Sequence, residues 1–248
     1  MATDPDAPWY DRFFGSEYLS FDEHADTSLQ VDFIGRTLGL PRGGTLLDVA
    51  CGYGRHSIPL SSKGYRVVGL DRSPTMLAAA RRATARRRKH KPTWIRGDMR
   101  HLPLLDEMDA AISMFSSLGY FEAEDENFSV IREVAEVLAP GGRFLIETVN
   151  RDFVVRHLTP VQVYRPENLV LIEERSFDPV SSRSRVDVTV IDDGRATKLY
   201  HSVRLYTFTE MEMLLSASGL AVAAVWGDFH AGDYTCDSPR MIVLAEKP

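Results

Sequence analysis

Residues 46–54 read LLDVACGYG, five apolar or small residues around one carboxylate, closed by a loop with two glycines. A short, continuously apolar run ending near Asp48 predicts a strand buried on both faces of a parallel sheet. Gly52-Tyr53-Gly54 then predicts a turn whose missing side chains let a ligand approach the backbone and the next helix N-terminus. A single GxG is common, so its meaning depends on the rest of the chain. Downstream come a segment ending at Lys63-Gly64, YRVVGLD, a helical stretch over 73–89, PTWIRGD, MDAAISMF, a helical stretch over 124–138 and GRFLIET. Strands alternating with helix-length segments predict βαβ units and a doubly wound α/β sheet. Right-handed crossovers would bring every strand's C-terminal end to one edge, where ligands bind. Ser73-Pro74 reads as a helix cap and first turn, and Pro140-Gly141-Gly142 as a helix stop.

Three of these strands end in a carboxylate. Asp71 follows Asp48 by 23 residues, the spacing at which an acid meets a ribose bound over the first loop. Asp98, in Gly97-Asp98-Met99, stands where it would accept from an adenine amino group, with Met99 beside the ring. An NAD pyrophosphate usually requires a third glycine, and that position is Ser57. The pattern favours an adenosine with a free ribose and no pyrophosphate. Lack of a Tyr-x-x-x-Lys pair also weighs against an NAD-dependent oxidoreductase.

The rest of the chain predicts one elaborated domain over 1–248: an aromatic N-terminal flap and helix over 1–40, a nucleotide-binding core over 41–150, a β-rich insert or lid over 151–208 and a closing helix and strand hairpin over 209–248. In the flap stand Trp9, Tyr10, Phe13, Phe14, Tyr18 and Phe21, followed by a helix over 28–38. LVLIEERSF, RSRVDVTVID and KLYHSVRLYTF predict an antiparallel meander, with Asp193-Gly194 as a hairpin turn. A helix over 210–218 leads to LAVAAVWGDF and RMIVLAEK, expected to pair at the sheet edge. A net charge of −6 argues against a surface that attracts nucleic acid or lipid as a whole. RRATARRRKHK at 81–91, seven of eleven residues basic, supports a minor alternative of RNA contact through a helix end. No secretory start and no membrane-length apolar run is evident, so a cytoplasmic protein is expected. Cys51 and Cys236 have neither disulfide nor zinc spacing, and no metal is expected.

LLDVACGYG, GLDRS, GDMRHLP, DAAISMFSSLGYF and LAPGGRFLIE, in this order, resemble class I S-adenosylmethionine-dependent methyltransferases. The resemblance implies a Rossmann-like seven-stranded sheet with an antiparallel last strand. It implies that Asp48, Ala50, Gly52 and Gly54 surround the methionine part of the cofactor and that Asp71 holds the ribose. Arg72 and Met76 would pack near the adenine, read by Asp98 and Met99, while Met114 and Phe115 begin a loop beside the sulfonium. GDMR, SMFSSLGYF, the flap and the insert look like the small-molecule branch typified by sugar-amine N-methyltransferases, in which Tyr10 and Tyr18 would close over the cofactor. MFSS stands where the Asn/Asp-Pro-Pro-Tyr/Phe motif of planar-amine enzymes would be. In-line transfer to a small-molecule nitrogen or oxygen would release S-adenosylhomocysteine. Tyr120, His157, His201 and His230 are the candidate bases. A homo-oligomer through the β insert is a further expectation.

Overall fold

The computed structural model describes residues 7–22, 24–104, 107–165 and 169–248. Its central sheet is built from β1 (Thr45–Val49), β2 (Arg66–Asp71), β3 (Thr93–Arg96), β4 (Met108–Ser113) and β5 (Leu138–Val149), completed by β10 (Ala221–Trp226) and β11 (Arg240–Glu246). The order is β10-β11-β5-β4-β1-β2-β3, parallel throughout except for β11, which runs antiparallel between β10 and β5. Alternate residues of each central strand face opposite layers, so both faces must be apolar. Leu46 joins Ile34 and Leu38 of α3 (Thr27–Leu38) and Leu60 of α4 (Ser57–Ser62), whereas Leu47 and Val49 join Val130 and Val134 of α6 (Glu124–Val137) and Met211 of α8 (Phe208–Ala217). Because β1 pairs with β2 on one side and β4 on the other, the chain crosses over beyond β1, and a cleft opens there.

Several boundaries differ from the sequence pattern, each for a local reason. Helix α5 (Pro74–Thr84) stops five residues before Lys89. Continuing would stack Arg86, Arg87, Arg88, Lys89 and Lys91 on adjoining turns, and like charges at that spacing repel. Most of the basic run is therefore an exposed turn beyond the helix, not a helix end. Helix α6 passes directly into β5, with Pro140-Gly141-Gly142 inside the extended segment. Gly141 (φ 76°) and Gly142 exchange hydrogen bonds with Lys247 there.

The insert is a four-stranded antiparallel sheet, β6 (Val161–Tyr164), β7 (Leu169–Asp178), β8 (Arg183–Asp192) and β9 (Arg195–Arg204), in that order. Asp193 and Gly194 both adopt positive φ, as a primed hairpin turn requires. Neither β6 nor the helix α7 (Arg151–His157), capped by Asn150, is evident from the sequence pattern. The flap folds as α1 (Trp9–Phe13) and α2 (Ser16–Phe21), and α1 lies on β9. Trp9, Phe13 and Tyr18 share a hydrophobic cluster with Leu171, Val186 and Val203 of the insert. The flap is thus packed between the insert and the central sheet.

Candidate active site

The C-terminal edge of the central sheet opens into a cavity whose empty space, open solvent included, is about 960 Å³. Its floor comes from β1, β2 and their following loops. Asp48 is buried, and Ser57 Oγ donates to it at 2.5 Å. Burial, reinforced by the nearby Asp71 charge, pushes its carboxyl up to about 7. Asp71 accepts from the backbone N–H of Gly52 at 2.7 Å and of Ser73 at 2.7 Å, so the end of β2 orders the glycine loop. Burial raises the Asp71 carboxyl despite these hydrogen bonds. Gly52 is left-handed (φ 56°), and a Cβ placed on it would meet nothing within 4 Å. Met76, Gly97 and Met99 line one side, Arg55 another, with Arg55 held by Gln30 Oε1 at 2.8 Å. Two carboxylates, open glycine backbone and flexible thioethers fit a nucleoside with free ribose hydroxyls and a cationic tail.

The roof is a strained loop after β4. Phe115 (φ 60°) and Ser116 (φ 57°) are consecutive left-handed residues, a costly conformation for side chains of this kind. Glu147 of β5 holds them there: its buried carboxylate accepts from Phe115 N at 2.5 Å, and its carbonyl accepts from Ser116 N at 3.0 Å. Arg240 lies 3.1 Å from the same carboxylate. Arg55 and Arg240 both stack on the Phe115 ring, at 5.4 and 5.7 Å from its centre. This network fixes the ring at the cavity mouth.

Beyond that ring lies a second cavity, of about 2520 Å³ and open to solvent, between the flap, α7 and the insert sheet. Phe14, Tyr18, Asp22, His24, Phe115 and Tyr120 line both cavities and form the boundary between them. Within it His24 Nε2 lies 2.7 Å from Asp22 Oδ1, and the imidazole stands edge-on to Phe115. Burial raises the Asp22 carboxyl, yet hydrogen bonding with His24, Tyr18 and Tyr53 outweighs it and holds the group below its ordinary value. Burial raises Tyr120, which keeps its hydroxyl neutral.

Of the residues singled out in the sequence, Tyr10, Tyr18, Asp48, Ala50, Gly52, Asp71, Arg72, Met76, Met99, Met114, Phe115 and Tyr120 line the first cavity. Gly54 and Asp98 do not. A Cβ on Gly54 would strike Trp94 at 2.4 Å, so this glycine serves packing against β3 rather than ligand approach. Asp98 is occupied by Arg100 at 2.6 and 3.0 Å and by Arg72 at 3.0 Å. Burial opposes ionisation of Asp98, but hydrogen bonds from Arg100 prevail and hold it at about 2. Arg72 also clamps Asp11 of the flap at 2.7 and 2.9 Å. His157 and His201 line the second cavity, and His230 lies on an exposed turn lining neither. Asp22, His24 and Arg55 complete the boundary and first cavity without any signal in the sequence pattern, and Tyr53, from the glycine loop, lines the first cavity beside them. Among the described residues no group of His, Cys, Asp and Glu is arranged to hold a metal, and no helix is long and apolar enough to cross a membrane.

Residues 46–142 match the family model described as a methyltransferase domain. The chain is 32% identical over 193 residues to the dTDP-3-amino-3,4,6-trideoxy-alpha-D-glucopyranose N,N-dimethyltransferase of Streptomyces venezuelae, covering 75% of this chain and 79% of that protein. Among solved structures it resembles the CcbJ methyltransferase of Streptomyces caelestis, with a TM-score of 0.86, 20% identity and coverage of 97% and 98% of the two chains. It also resembles Streptomyces venezuelae DesVI, with a TM-score of 0.69, 27% identity and coverage of 95% and 96%.

Proposed function

Because the chain belongs to the class I S-adenosylmethionine-dependent methyltransferases, we propose that it moves the methyl group onto an amine nitrogen of a small molecule held in the second cavity. The observation that carries this reading is that six residues line both the cleft over the glycine loop and the larger chamber, so a passage from one to the other would run between them. When bound, S-adenosylmethionine supplies a methyl group already activated by its sulfonium. The chain's own task is alignment and exclusion of water, worth up to about 7–11 kcal/mol in a well-oriented pair. Asp71 would accept from the ribose hydroxyls, with Asp48 beside the amino acid tail. Met76 and Met99 would pack on the base, with Tyr10 and Tyr18 closing from the flap. The Phe115 ring and Tyr120 would fix the line of approach.

At the passage, Asp22 suits the cationic form in which an amine arrives, and the surrounding aromatic faces add cation–π attraction. His24, with Nε2 committed to Asp22, keeps Nδ1 to take the proton that the nitrogen sheds. His24 lines both cavities, whereas His157 and His201 line only the second, which favours His24 as the base. The relative acting on an amino sugar favours nitrogen over oxygen. A panel of amines and their hydroxyl isosteres, assayed by S-adenosylhomocysteine release, tests the reading. Turnover confined to amines is expected. Equal turnover of the hydroxyl isosteres would refute the choice of nitrogen, and methylation of RNA with none of small molecules would refute the choice of acceptor.

A further inference from the structure

We propose that Arg55 anchors the α-carboxylate of the cofactor's amino acid tail and so makes the site selective against a decarboxylated cofactor; this rests on the first cavity being the cofactor site. An amino acid tail is a zwitterion, and a cleft that grips both of its charges must offer one anion and one cation. Asp48 supplies the anion. Two arginines line the cavity, Arg55 and Arg72. Arg72 grips Asp11 through Nε and Nη2 and Asp98 through Nη1, so its charge ties the flap to the loop after β3. Arg55 instead donates to neutral oxygens, Thr27 Oγ1 at 3.2 Å and Gln30 Oε1 at 2.8 Å, both through Nη1. Among the described residues Arg55 has no ion pair, and its Nε and Nη2 have no hydrogen-bond partner.

Helix α3 sets the guanidinium in place. Gln30 is buried and donates through Nε2 to Asp26 Oδ2 at 2.6 Å, which turns its Oε1 toward Arg55. The same oxygen meets His56 Nε2 at 2.7 Å, and burial keeps that imidazole neutral by pushing it well below its ordinary value. The guanidinium lays its face on the Phe115 ring, 5.4 Å from the centre, and so keeps its edge for hydrogen bonds. Arg55 also stands near enough to Asp48 for its charge to oppose the rise that burial imposes on that carboxyl. Cation and anion thus lie together at the β1 end of the cavity, with a fork that matches a carboxylate and an acid that matches an ammonium.

The test is calorimetric and uses the full chain with S-adenosylhomocysteine and S-adenosyl-3-thiopropylamine, which differs only in lacking the carboxylate. The unsubstituted chain should prefer S-adenosylhomocysteine by about thirtyfold or more, as expected of charge-assisted hydrogen bonds. In Arg55→Gln, S-adenosylhomocysteine should bind about tenfold or more weakly, the analogue should bind as before or more tightly, and the preference should shrink to about threefold or less. An undiminished preference in that variant, whether or not both ligands bind more weakly, would make Arg55 a packing residue. An unsubstituted chain that binds the two ligands alike would leave the carboxylate without an anchor. Either result overturns the proposal. If Arg55→Gln binds neither ligand, Arg55→Lys decides: loss of the fork should cut the preference about threefold or more, and an unchanged preference overturns the proposal. Failure of the unsubstituted chain to bind S-adenosylhomocysteine would instead strike the cofactor reading beneath it.

Discussion

Asp48 and Asp71 stand at the C-terminal ends of adjacent strands, yet they face different tasks. Asp71 spends one lone pair on each of two backbone N–H groups and keeps others for a ligand. Asp71→Ala should weaken S-adenosylhomocysteine binding tenfold or more by calorimetry, about 1.4 kcal/mol or greater; unchanged affinity would mean the ribose lies elsewhere. Asp48 predicts a proton linkage. With its carboxyl up at about 7 in the free protein, it is largely protonated at pH 6. A cationic cofactor tail favours the ionised form, so binding below pH 7 should release a proton. Affinity for S-adenosylmethionine should rise about fivefold from pH 6 to 7 and about twofold more from 7 to 8 before levelling off, with binding heats below 7 that depend on the buffer's ionisation enthalpy. Buffer-independent heats at pH 6 would uncouple Asp48 from the cofactor. These two acids stand out in the sequence because each ends a continuous apolar run. Asp22 and His24 do not, since they follow a short helix with no periodic signature and meet the cavity boundary only through tertiary packing.

Gly54 sets the distance between the β1–α4 loop and β3. Its φ of 85° strains any side chain, and a Cβ would lie 2.4 Å from the Trp94 ring. Gly54→Ala should therefore destabilise the protein by about 2–4 kcal/mol in urea denaturation, combining a left-handed conformation with overpacking. A loss below about 1 kcal/mol would show that the loop and Trp94 can separate freely. The parallel core is legible in the sequence because buried strands and amphipathic helices follow different periods, and Asp193-Gly194 likewise marks its hairpin. The insert's first strand is not. β6 has only four residues, with Val161 and Val163 about half exposed, so it lacks the in-and-out alternation of a covered strand. Helix α5 ends five residues short of its sequence pattern because helix propensity alone ignores repulsion within the basic run.

The central sheet and the insert each hold apolar clusters, and the flap ties them together. Trp9 is the knot: its ring meets Tyr120 edge-on at 4.9 Å, its Nε1 donates to the Tyr120 carbonyl at 3.3 Å, and it lies 6.3 Å from the His201 ring on β9. Trp9→Ala removes a nearly buried indole, a change that costs about 3–5 kcal/mol in a packed core. The cost should fall on the insert side, because the layers of α3, α4, α6 and α8 make no use of Trp9. Calorimetry of the native chain should show one cooperative transition. In Trp9→Ala the insert should melt first, giving two. S-adenosylhomocysteine should raise the second transition in the variant, since Asp48 and Asp71 lie on the central sheet, and a ligand at a hundred times its Kd adds about 2.7 kcal/mol to the part that binds it. A single transition shifted down as a whole would show instead that insert and core are joined through β5 and the Phe115 loop, independently of the flap.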